Sequence, residues 1–126
     1  MTAAIWEEYP NFTYAEFNCK HTGENNMQHE FMEKLQAIRK EYNKSMRITS
    51  GFRSVKHPIE AKKLHSNGEH TQGTCADVYC DNGADRFKLI QLALKHGITR
   101  IGVAATFLHF GIGGKGLPNY VIWDYQ

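Results

Sequence analysis

"GEHTQGTCADVYC", residues 68–80, decides how this chain is to be read. His70 and Asp77 stand seven positions apart with Gly73 between them. Seven residues rise about 10.5 Å in a helix and span about 23 Å in a strand. Two ligands of one ion, each about 2 Å from it, must approach to roughly 3–4 Å. A shared ion therefore requires the chain to double back, and Gly68 and Gly73 are the residues that would allow it. Downstream, "CADVY" reads as a strand in which Ala76 and Val78 share one face. Asp77 points to the other face with Cys75 and Tyr79, and a carboxylate placed there calls for a partner.

The same alternation recurs in "FLHFGI", residues 107–112. Leu108, Phe110 and Ile112 form an apolar face suited to a core, while His109 projects oppositely, beside Phe107 and Gly111. His70, Asp77 and His109 are therefore the candidate metal ligands. His21, His29, His57, His65 and His96 lie in polar surroundings and read as solvated. "HEFME" at 29–33 lacks the second histidine of a zincin helix, and Cys75 and Cys80 lack the P-C-x-x-C of a deaminase. Cys75 paired with His109 as a nucleophile is disfavoured, because no basic neighbour or helix N-terminus lowers the thiol pKa. "GIGGKG", 111–116, lacks the spacing and following helix of a phosphate loop and reads as a β-turn.

Outward from these motifs, "YPNFTYAEFNCKHTGENN" is an irregular arm packed by Phe12, Tyr14 and Phe17. A helix is expected from about Met27 to Asn43, capped by Asn25 or Asn26, with Phe31, Leu35, Ile38 and Tyr42 on its apolar stripe. "MRITSGF" predicts a strand from Met46 to Phe52. Pro58 suits the first turn of a short helix running to about Leu64. A second long helix runs from Gly83 to His96, with Phe87, Ile90 and Leu94 on one face and Gly97 ending it. "RIGV", "FLHFGI" and "NYVIW" complete the strands, with "GGKGLPN" as the loop before the last. The expected fold is α+β, a single domain over 1–126, in which a small antiparallel sheet packs with two longer helices.

The 126 residues suffice for one core, and charged residues of both signs are interspersed to a net charge of +2, which argues against a nucleic-acid partner. No stretch approaches the roughly 18 apolar residues of a membrane span. The N-terminus lacks a secretory signal's basic flank, so synthesis in the cytoplasm without a signal peptide is expected. Three cysteines are too few for a disulfide scaffold, and Cys75 and Cys80 are not expected to pair.

"ITSGFRS" (48–54), "GEHTQGTCADV" (68–78) and "TFLHF" (106–110), in that order, resemble the zinc D-Ala-D-Ala carboxypeptidases and endopeptidases of the M15 peptidase family. The likeness is closest to the short, single-domain phage-type members. Ser50-Gly51-Phe52-Arg53-Ser54 resembles the family's S-G-[YF]-R-S, and His70, Gly73, Ala76 and Asp77 resemble its H-x-x-G-x-x-A-D. "FTYAEFNC", "DRFKLIQLALKHGITRIGVA" and "VIWDY" extend the likeness over nearly the whole chain.

The resemblance implies an M15/hedgehog-like α+β fold whose sheet carries Zn²⁺ on His70, Asp77 and His109, with a fourth position open to water. It implies hydrolysis in peptidoglycan peptide stems or cross-links, as by a phage lysin or virion-associated wall-degrading protein acting at the bacterial cell wall. Arg53 would bind a substrate carboxylate or polarise the scissile carbonyl. Three positions depart from the pattern. Family members carry an acid three residues before the last histidine, where Thr106 stands, or an aspartate two after it, where Gly111 stands. Gly68 replaces the usual serine. Glu69 and Asp124 are the remaining candidates for a proton acceptor. The alternative reading is a catalytically impaired zinc module that binds peptidoglycan or other virion proteins.

Overall fold

Ala76, Val78, Leu108 and Phe110, the inward residues of two strands, are all but fully buried, and the rest of the protein is arranged around them. The computed structural model describes residues 1–62 and 68–125. Its five-stranded sheet has the order β1-β2-β4-β3-β5. The strands are β1 (Ile48–Ser50), β2 (Cys75–Tyr79), β3 (Arg100–Val103), β4 (Phe107–Gly111) and β5 (Val121–Asp124). The helices are α1 (His29–Tyr42), α2 (Pro58–Ala61), α3 (Glu69–Gln72) and α4 (Gly83–Lys95). The α+β class is as expected. Pairing is antiparallel throughout except at one edge, where β5 runs parallel to β3.

One face of the sheet is the core. Phe31, Met32, Leu35 and Ile38 of α1 and Leu89, Leu92 and Ala93 of α4 join Ile48, Ile101 and the four strand residues above in one apolar cluster. Each large side chain so buried contributes about 1.5–3 kcal/mol relative to exposure. With that face committed to the helices, the alternate residues of every strand project to the other side, and the candidate site lies there. A one-residue slip of β4 would turn His109 into the apolar core and Leu108 out to the cleft face, so core packing itself holds the register.

Several local expectations are corrected. The first helix starts at His29, with Gln28 as its N-cap and no side-chain cap. Asn25 instead accepts from the Met27 N–H and donates to the Tyr14 carbonyl. Tyr14 is half exposed, and Phe12 and Phe17 do the packing in the arm. The strand expected over 46–52 is confined to Ile48–Ser50. On α4, Phe87 and Leu94 face outward, 73% and 56% exposed, and Leu89, Leu92 and Ala93 turn inward. That helix carries apolar residues on two faces, and its packing against α1 selects between them. The proposed extension of α2 to Leu64, and His65, lie outside the described residues. The three cysteines are free.

Candidate metal centre and cleft

Asp77 and His109 are direct register partners in the antiparallel β2–β4 pair. Asp77 Oδ1 lies 3.0 Å from His109 Nδ1. His70 arrives from α3, a single turn whose C-cap, Gly73, takes the left-handed conformation at φ +72°. A Cβ at 73 would overlap the Asn26 carbonyl, so glycine is required for both conformation and space. The chain doubles back at this residue and brings His70 Nε2 to 3.5 Å from Asp77 Oδ2. Gly68 has an ordinary extended conformation and only begins the turn. The two imidazoles meet edge to face, with ring centroids 5.3 Å apart.

Each imidazole is oriented by a bond at its far nitrogen. His70 Nδ1–H donates to the Gly51 carbonyl at 2.8 Å. A carbonyl can only accept, so Nδ1 carries a proton and Nε2 is the nitrogen that faces Asp77. His109 Nε2–H donates to Glu69 Oε1 at 2.6 Å, which leaves Nδ1 facing Asp77. All three groups are buried. Two imidazoles and a carboxylate, at these separations and with their outer nitrogens held, fit a divalent metal such as Zn²⁺.

The electrostatics agree. Burial pushes the Asp77 carboxyl up, but hydrogen bonds and charge from His109 and His70 outweigh it and hold the group well below the carboxylate range. Burial likewise disfavours a charged His109, yet Asp77 and Glu69 on either side of the ring raise its pKa. Asp77 and Glu69 thus lie on opposite edges of the His109 ring, one at each nitrogen.

Cys75 was not among the expected ligands. Its ligand atom and those of His70 and His109 lie within 4.8 Å of one another. The side chain shares the Asp77 face two residues away but is wholly enclosed. Burial pushes its thiol pKa well up, which argues against a thiolate nucleophile.

Of the other anticipated residues, Arg53 sits at the rim. Its Nη1 pairs with Glu60 Oε2 at 3.2 Å, its Nη2 lies 4.0 Å from Asp77 Oδ2, and its backbone N–H donates to the His70 carbonyl. Glu69 is fully engaged: Oε1 accepts from His109 Nε2 and from Arg100 Nε, and Oε2 accepts from the Gly113 N–H. Asp124 stands apart. Trp123 of β5 and Tyr125 just beyond it line the cleft, and alternation turns Asp124 to the opposite side. Thr106 is exposed in the turn before β4.

The cleft has a volume of about 330 Å³. Arg100, Phe107, Leu117, Trp123 and Tyr125 also line it, and of these only Phe107 was placed on the His109 face from sequence. The Arg100 guanidinium lies 5.1 Å from the Trp123 ring centroid, and the Trp123 and His109 ring centroids are 5.3 Å apart. A signal for this wall was present in "RIGV". Glycine inside a strand marks a close approach. A Cβ at Gly102 would fall 2.7–2.8 Å from the Tyr125 and Trp123 rings.

Two oriented imidazoles and a carboxylate, set in a cleft beside a guanidinium, form a candidate metal centre on an α+β sheet. The chain belongs to the peptidase M15 family, whose model matches residues 10–110. That match includes Arg53, His70, Asp77 and His109 and places the chain among metallopeptidases. No curated protein matches it.

Proposed function

We propose that this chain is a zinc-dependent peptidase of peptidoglycan, cleaving D-Ala-D-Ala termini or peptide cross-links. The phage-lysin or virion-associated role, acting at the bacterial cell wall, belongs to the same proposal. The observation that carries it is the convergence of His70, Asp77 and His109 in one cleft, each imidazole held at its outer nitrogen.

Zn²⁺ bound there would polarise a carbonyl and lower the pKa of bound water toward neutrality. The protein's own groups do the rest. Asp77 and the two imidazoles supply the donor atoms. Arg53 offers a planar, charged fork at the cleft mouth to a substrate carboxylate or to the oxygen on which charge develops. Phe107, Trp123 and Tyr125 give the cleft an aromatic wall.

The second reading, an impaired zinc module that binds peptidoglycan or virion proteins, has its own support. Among the described residues lining the cleft, the acids are Glu69 and Asp77, and both are engaged. Loss of a general base costs a factor of about 10²–10⁴. The deciding experiment is release of new amine groups from purified peptidoglycan by zinc-loaded protein against a chelated control. Chelator-sensitive release establishes the peptidase. No release from protein shown to hold one zinc favours the binding or virion-structural module over the peptidase.

A further inference from the structure

Glu69 and Gly111 compete for one volume. Position 111 shares the cleft face of β4 with His109 and pairs with Cys75 on β2 and Arg100 on β3. Its backbone has no positive φ, so conformation does not demand glycine there. Space does. A Cβ at 111 would fall on the Glu69 carboxylate, overlapping both Oε2 and Cδ.

That carboxylate is held at three points. His109 Nε2–H donates to Oε1 at 2.6 Å and Arg100 Nε–H at 3.0 Å, while the Gly113 N–H donates to Oε2 at 2.8 Å. Arg100 is anchored in turn, its Nη1 donating to the Pro118 carbonyl. The assembly grips the edge of His109 remote from Asp77.

We propose that Glu69 and Gly111 are a matched pair, in which α3 supplies to His109 the carboxylate that a side chain at position 111 of β4 would otherwise be placed to supply. Glu69 is then a positioning residue: it fixes which nitrogen of His109 faces His70 and Asp77. An acid can occupy either position, and filling 111 would drive the Glu69 carboxylate off the three donors that hold it. The consequence for metal binding rests on the zinc reading above, while the competition for space does not.

Two measurements separate these parts. The first is the denaturation midpoint of chelated protein for the wild type, Gly111→Ala, Glu69→Ala and the double variant. Gly111→Ala should lower the midpoint in the Glu69 background and shift it by less than half as much once Glu69 is truncated, because the colliding group is gone. Equal shifts in the two backgrounds overturn the pairing. Should Gly111→Ala fail to fold alone, folding of the double variant makes the same point, and failure of both overturns it.

The second is zinc affinity by competition with a chromophoric chelator. Glu69→Ala should bind zinc about 10–100-fold more weakly, and Glu69→Ala combined with Gly111→Asp should recover at least tenfold. Affinity unchanged in Glu69→Ala, or not recovered by the added aspartate, overturns the positioning role. A wild type that binds no zinc sinks the metal reading instead and leaves the midpoints to decide the pairing.

Discussion

His109 bridges two carboxylates. Its Nδ1 lies 3.0 Å from Asp77 Oδ1 and its Nε2 lies 2.6 Å from Glu69 Oε1. One of these partners comes from the neighbouring strand and the other from a helical turn forty residues earlier in the chain. The ring is thereby fixed in plane and in orientation. Removing it affects metal, charge and packing together.

His109→Ala should lose the ion and destabilise the fold. Asp77 and Glu69 would face each other without their shared cation, and breaking a buried pair costs about 3–5 kcal/mol. Metal analysis of the purified variant should find far less than one equivalent of zinc. A full equivalent retained would exclude the ligand set.

Arg53→Lys keeps a positive charge at the rim and removes the fork that reaches toward Glu60 and Asp77. Zinc content should stay at the wild-type value while amine release from peptidoglycan falls by about 10²–10³-fold. Undiminished release would remove Arg53 from the chemistry.

Stability should depend on pH in opposite senses with and without metal. In the metal-free protein His109 titrates above its unfolded value of about 6.5, raised by Asp77 and Glu69 against the effect of burial. Its contribution is complete below that pH and is lost as pH rises through the folded pKa. Burial pushes Asp77 and Glu69 up, but their partners hold both below their unfolded values of about 3.9 and 4.3. Their contribution is present above those values and is lost as pH falls through the folded ones. The metal-free optimum therefore lies between about pH 4.5 and 6.5. Zinc must displace the proton on His109 Nδ1, so the gain in Tm on adding zinc should grow from about pH 5.5 to 8. Scanning calorimetry with zinc or chelator reads both trends, and a zinc increment that is flat with pH would argue against His109 as a ligand.

Gly73→Ala should be costly at a position that touches no ligand directly. The left-handed φ costs about 1–2 kcal/mol for a residue with a Cβ, and the new carbon overlaps the Asn26 carbonyl. The Gly73 carbonyl also accepts from the Gln28 N–H, so the strain reaches the start of α1. Urea denaturation should show a loss greater than that strain alone, and zinc should bind more weakly because His70 moves relative to Asp77. A variant as stable as the wild type would mean that the doubling back does not depend on this glycine.

Much of the candidate site was legible in local pattern. Strand alternation separates Asp77 from Ala76 and Val78, and His109 from Leu108 and Phe110, because a pleated strand sends successive side chains to opposite faces. The glycine after His70 shows that the chain could turn. Other features could not be read this way. Asn25 or Asn26 was the expected helix cap, yet Gln28 takes that place and the helix begins at His29, past the point where Met27 is drawn into the core. On α4, two apolar faces competed, and only packing against α1 chose Leu92 over Leu94.

By itself the sequence determined the alternating strands and the α+β class, which follow from neighbouring residues and the backbone's own periodicity. It also carried three candidate donor side chains, and its separated motifs resembled the family whose model matches residues 10–110. Tertiary structure alone decided what surrounds His109. The register of β3 against β4 sets Arg100 opposite Gly111, and the parallel edge strand lays Trp123 over Gly102. It also decided the use of Glu69, which sequence left as a possible proton acceptor. Its carboxylate is committed to His109, Arg100 and the Gly113 N–H because those groups, distant along the chain, close around the one space that Gly111 leaves open.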